Sequence, residues 1–187
     1  MPIVGRFGSL AGLGSLILPG GAMESIATVS VGSGGASSIS FSDIPGGFQH
    51  LQVRIVALMN GANQAVWTRF NDDSAANYSC HFLYGTGAAA AAGSRLSDGG
   101  IDAIFQPTSS GKEFCGVIDI LDYANTSKHK VIRVLHGSDS NGAGYVGINS
   151  GSWRNTNAIT KIHLSDQIGS SSFNQHTTAA LYGLRAP

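Results

Sequence analysis

The sequence predicts an all-β protein: an antiparallel β-sandwich, jelly-roll-like, with an extended N-terminal arm. Three observations predict it. Runs with an apolar residue at every second position recur from Glu24 to Leu184, which is the period of a strand with one buried face. Turn residues punctuate these runs every ~8–12 positions, the spacing of a sandwich or barrel. No segment carries a helical period of any length. The chain also changes character near Met23. The text before it, MPIVGRFGSLAGLGSLILPGGA, is small, apolar and glycine-laced. Residues 1–23 are therefore read as an arm and residues 24–187 as the sandwich.

The elements follow in order. Ser25 to Val31 alternates and ends at the turn Gly32-Ser33-Gly34-Gly35; Ser38 to Phe41 is the second strand. Asp43-Ile44-Pro45-Gly46-Gly47 is a turn by composition. His50 to Leu58 is the clearest strand, with Leu51, Val53, Ile55 and Ala57 expected inward and Gln52 and Arg54 outward. Val66 to Phe70 follows, closed by Asn71-Asp72-Asp73-Ser74, and then Tyr78 to Tyr84. Gly85 to Gly100 reads as a long loop whose alanines, Ala88 to Ala92, have room for one helical turn between glycines. A strand is expected at Ile101 to Phe105. Phe114 to Tyr123 (FCGVIDILDY) is apolar on both parities, as in a central strand covered on both faces. Lys130 to Gly137, Tyr145 to Asn149 with Trp153, Ala158 to Leu164 and Thr177 to Leu184 complete the set. The total is roughly nine to eleven strands, with no repeat of propeller or solenoid length.

Composition narrows the function. Of 187 residues only 12% are charged, and the formal net charge is zero. A nucleic-acid binder needs a basic face to neutralise phosphates, so that class is disfavoured. Disorder usually accompanies high charge and few aromatics, which is not the pattern here. No run reaches the ~18 apolar residues of a membrane span. The opening residues read more readily as an arm than as a cleaved leader: the one positive charge, Arg6, comes late, and Gly12 and Gly14 break the apolar stretch Leu10 to Leu18. The arm's large side chains, Ile3, Val4, Phe7, Leu10, Leu13, Leu16, Ile17 and Leu18, are the candidate anchors to a partner protein. Each would contribute roughly 1.5–3 kcal/mol on burial. Cys80 and Cys115 sit in apolar runs and are expected as buried free thiols, with a single bridge left open.

Candidate chemistry is sparse. Asp119 and Asp122 lie three apart on a strand, so they point to opposite faces and make no acid/base pair. Asn71 to Ser74 reads as an Asx turn rather than a calcium loop. The six histidines are scattered without HExxH spacing, there is no GxSxG elbow, and Gly32 to Gly35 lacks the Lys-Ser/Thr ending of a phosphate loop. No cofactor or metal is expected. Trp67, Tyr84, Tyr145, Trp153 and Phe173 are aromatic enough to build a sugar-stacking platform, although core packing is the default for aromatics on strands. Trp67, Tyr84, Tyr145 and Trp153 are kept as candidate glycan contacts.

The body also resembles a known family through many ordered matches. These include Glu24-Ser25-Ile26-Ala27-Thr28-Val29 with Val31-Gly32-Ser33-Gly34-Gly35, Phe41-Ser42-Asp43-Ile44-Pro45, and His50-Leu51-Gln52-Val53-Arg54. Further matches are Arg69-Phe70-Asn71-Asp72-Asp73, Asn77-Tyr78-Ser79-Cys80-His81, Ile118 to Asn125, Ser150-Gly151-Ser152-Trp153-Arg154, Ala158-Ile159 and Leu181-Tyr182-Gly183. They are similar to small β-rich structural proteins of tailed phages, especially phages of marine and freshwater bacteria. The start Met1-Pro2-Ile3-Val4-Gly5 is similar to the short arm such proteins often carry. The resemblance implies a non-enzymatic virion protein assembled in the host cytoplasm. It would be held to other virion proteins through residues 1–23 and would display its sandwich outside. A tail-fibre component for host attachment is the leading expectation, with capsid decoration and a carbohydrate-binding module as alternatives. By analogy with fibres and head knobs a homotrimer is expected, with a host surface glycan as a further partner.

Overall fold

The computed structural model describes residues 22–107 and 109–185. The expected anchors of the arm, Ile3, Val4, Phe7, Leu10, Leu13, Leu16, Ile17 and Leu18, lie outside them. Twelve strands are described: β1 (Met23–Ser30), β2 (Ser38–Phe41), β3 (His50–Leu58), β4 (Ala65–Phe70), β5 (Tyr78–Gly85), β6 (Ala90–Asp98), β7 (Ile101–Phe105), β8 (Glu113–Leu121), β9 (Lys130–Asp139), β10 (Gly144–Trp153), β11 (Ile162–Asp166) and β12 (Thr178–Leu184). They form two antiparallel sheets, β1-β12-β3-β8-β9-β10-β5-β6 and β2-β11-β4-β7. The expected β-sandwich is thus the fold.

Side-chain parity builds the core. On β3 Leu51, Val53, Ile55 and Ala57 are buried while Arg54 and Val56 are exposed. On β8 the inward set is Phe114, Gly116, Ile118 and Ile120, and on β9 it is Ile132, Val134 and His136. The small sheet supplies Ile39, Phe41, Val66, Phe70, Ile101, Ile104, Ile162 and Leu164 to the same cluster. Edge strand β7 lies across β8, β9, β10 and β5. Two glycines let it come close. A Cβ on Gly116 would stand 2.4 Å from Ile104, and one on Gly151 2.5 Å from Ile101, both far inside contact distance.

The turn after β4 is the expected Asx turn, and it reaches into the core. Asp73 accepts from the Ala75 backbone N–H at 2.9 Å, from Asn77 Nδ2 at 2.9 Å and from the indole Nε1 of Trp153 at 2.7 Å. Trp153 is fully buried against Phe70 and Tyr78. Burial opposes ionisation of Asp73, but the bonds from Asn77, Trp153 and Ala75 outweigh it and hold the carboxyl below its ordinary range. Asn71 and Asp72 take left-handed backbone, φ 52° and 57°, which Asn and Asp tolerate at a turn.

Several sequence expectations need correction. The alanine-rich stretch is strand β6, paired with β5 from Gly85↔Ala90 to Tyr78↔Asp98. Its partner strand supplies the backbone ladder, which overrides the helical preference of alanine. Cys80 is buried as expected, but Cys115 is exposed on the outward parity of β8, and both thiols are free. The outward face of β8 is therefore uncovered among the described residues, although its apolar double parity predicts cover.

Two outcomes follow from this packing. Asp73→Ala leaves the Trp153 indole N–H buried without an acceptor and is expected to cost about 1–3 kcal/mol in urea denaturation, with Asp73→Asn costing less. His136 is buried, and burial lowers its pKa below the usual 6.5 against the raising effect of its bond to Asn149. The unfolded chain thus binds more protons than the fold in the window just below pH 6.5. Stability is full above that value and falls as pH drops through the window. Thermal melts between neutral and mildly acid pH should show this slope, flattened in His136→Gln.

Candidate functional site

The outer face of the eight-stranded sheet is organised in rows by strand register. One row runs Val56–Cys115–Gly137–Val146 across β3, β8, β9 and β10. The next runs Val117–Leu135–Ile148–Leu83–Ala92 from β8 to β6. Leu135 is 58% exposed, Ile148 55% and Val146 63%. These are β-branched and leucine side chains on adjacent strands, so they touch and form one patch. Single exposed apolar residues are ordinary on a soluble protein, whereas contiguous patches mark interaction surfaces.

A third row borders the patch and is polar: Gln52–Asp119–Arg133–Ser150–His81–Ser94. Asp119 accepts from Gln52 Nε2 at 2.7 Å and from Arg133 Nε at 3.0 Å, and Gln52 Oε1 accepts from Arg54 Nε at 2.8 Å. The rim is therefore charged but balanced. The face is concave in two adjoining hollows. The larger, about 1010 Å³, lies over Leu83, Val117, Leu135 and Ile148 and reaches the polar row; the second, about 560 Å³, lies over Val56, Cys115, Val117, Leu135 and Val146. Sequence reasoning did not single out these residues. The available signal was the double apolar parity of Phe114 to Tyr123 and of Lys130 to Gly137, where Val131 and Leu135 interrupt the expected polar side.

The candidate glycan contacts divide. Tyr84 and Tyr145 stand together, ring centroids 5.4 Å apart at 89°, half-buried at the end of the inner face. Phe105 on β7 meets Tyr84 edge to face at 5.2 Å and Phe82 at 5.2 Å. Burial, with the neighbouring Tyr84, pushes the Tyr145 phenol above its usual 10.0. Trp153 is far into the core on Asp73. Trp67 is buried as well, donating Nε1 to Asp102 Oδ1 at 2.6 Å, with Arg69 over its ring at 4.7 Å. Asp102 is 1% exposed and also accepts from Arg95 Nε at 2.5 Å. Phe173 is fully buried. The tryptophans are thus held inward by carboxylates, and the tyrosines alone of the four border open space.

The other acidic groups hold local structure. Asp166 accepts from Gln106 Nε2 at 2.8 Å and from the backbone of Ser170 and Ser171 at 2.9 and 3.2 Å. Asp122, at φ 46°, ends β8 and pairs with Lys128. Among the described residues no group of three or more His, Cys, Asp or Glu is gathered for a metal ion.

No protein-family model matches the chain, and no curated protein matches it. Among solved structures it is similar to an alginate lyase variant in complex with alginate tetrasaccharide. The identity is 8%, the TM-score is 0.26, and the match covers 79% of this chain and 80% of that one.

Proposed function

We propose that this chain is a non-enzymatic structural subunit of a bacteriophage particle, most closely a tail-fibre component for host attachment. Residues 1–23 attach it to another virion protein, and the sandwich is displayed outside. The observation that carries this reading is the apolar outer face of the eight-stranded sheet. A surface of this kind works by packing, and its occupant is a second copy of the chain in a closed ring such as a trimer. Both members of the Asp119–Arg133 pair lie in the bordering row, so two copies meeting there bring opposite charges to each other rather than a net like charge. Engagement of Asp73, Asp102 and Asp166 in structural bonds supports a non-enzymatic role.

Light scattering of the full chain should give a mass above the monomer, three-fold for a trimer. Leu135→Glu with Ile148→Glu should return it to monomer without changing the β-sheet circular dichroism. Cys115 reports independently: a thiol reagent should label it quickly in that variant and slowly in the assembly, while Cys80 waits for denaturation. A monomeric wild type at all concentrations would remove the proposed contact between copies. Deleting residues 1–22 should leave a folded body that no longer joins particles. Normal incorporation of that truncation would sink the anchor, and antibody labelling of particles separates tail from capsid placement.

A further inference from the structure

A second concave site lies on the opposite side of the sheet, where β7 ends the small sheet while the inner faces of β10, β5 and β6 continue beyond it. The cleft encloses about 240 Å³ and is bordered by Gln64, Tyr84, Arg95, Gln106, Tyr145 and Gln167. The side-chain amide of Gln64 and the phenol oxygens of Tyr84 and Tyr145 bond to no described residue. Gln106 is fully buried; its Nε2 is taken by Asp166, and its Oε1 accepts nothing. Gln64, Tyr84 and Tyr145 are half-buried, so their polar atoms face the opening, where a ligand can bond them; a hydroxyl-bearing ligand would replace the water they meet there.

The charge in the cleft is already matched. Arg95 donates Nε to Asp102, and Gln167, with its amide oxygen turned toward the guanidinium, accepts from Nη1 at 3.2 Å and Nη2 at 2.8 Å. An anionic ligand would find this cation occupied and the Asp102 carboxylate beside it. A purely apolar ligand would leave the amides and phenols unpaired. A ligand with an apolar face and a rim of hydroxyls satisfies both demands.

We propose that this cleft binds a neutral saccharide ring, its C–H face against Tyr84 and Tyr145 and its hydroxyls on Gln64 and the tyrosine phenols. Each hydroxyl both donates and accepts, which suits a site offering amide and phenol groups together. The volume is below the ~300–1,000 Å³ of pockets for drug-sized ligands and fits a single sugar residue, free or terminal. The inference does not depend on the virion reading.

The test is saturation-transfer NMR on the full chain with glucose, galactose, mannose and N-acetylglucosamine separately, and with glucuronate as the charged comparison. At least one neutral sugar should receive saturation with millimolar affinity. Tyr145→Ala and Gln64→Ala should each weaken it by about tenfold or more, with circular dichroism unchanged. If Tyr145→Ala does not fold, Gln64→Ala, in the loop before β4, decides. Absence of transfer to every neutral sugar, unaltered binding in the folded variants, or preference for glucuronate would each overturn the proposal.

Discussion

Eight strands cannot be covered by four, and most of what is distinctive in this molecule follows from that mismatch. A sheet of the size of β1-β12-β3-β8-β9-β10-β5-β6 buries its inner face only where the smaller sheet lies over it. Over β3, β8 and β9 the cover is complete, and Val53, Ile118, Ile120 and Ile132 lose all contact with solvent. Beyond β7 the cover stops. There Phe82, Tyr84 and Tyr145 close the core with their own rings, and a cleft remains. The glycines at 116 and 151 sharpen the boundary, because they draw β7 tightly onto β8 and β10 just short of it.

Buried polar groups fix the two sheets relative to each other. Asp102 on β7 is the node: it accepts the Trp67 indole from β4 and the Arg95 guanidinium from β6. It thereby ties the small sheet to the far edge of the large one. Asp73 does the same at the other end by accepting the Trp153 indole of β10 from the turn after β4. In both cases a carboxylate satisfies a tryptophan N–H that would otherwise be stranded in the core. These bonds explain why the tryptophans, the obvious aromatic candidates for a surface platform, are unavailable for one. The tyrosines carry no such tether and lie where the cover ends.

Much of the fold was legible in the text. The period-2 pattern of His50 to Leu58 assigned Leu51, Val53, Ile55 and Ala57 to the inner face and Arg54 to the outer, and the Asn71 to Ser74 turn follows from its Asx residues. The alanine run before Arg95 was not legible as a strand, because intrinsic preference favours a helix there and only the β5 partner makes it a strand. Cys115 was misjudged for a related cause. An apolar run does not say which of its two faces is covered, and on β8 the outer face, with Cys115, is exposed among the described residues. The outer apolar face was legible only as the double parity of Phe114 to Tyr123 and Lys130 to Gly137; in the inner cleft Tyr84 and Tyr145 stand out as aromatics, whereas Gln64, Arg95, Gln106 and Gln167 come from four separate segments with no local signal linking them.

By itself the sequence determined the class of the fold and the parity of most strands, since these depend on neighbours along the chain. Tertiary structure alone decided which faces are covered. That depends on the order in which distant strands pair, and the order places four strands over eight. The reason is physical: alternation encodes two faces for each strand, but only the assembled sheet fixes how much surface there is to cover each of them.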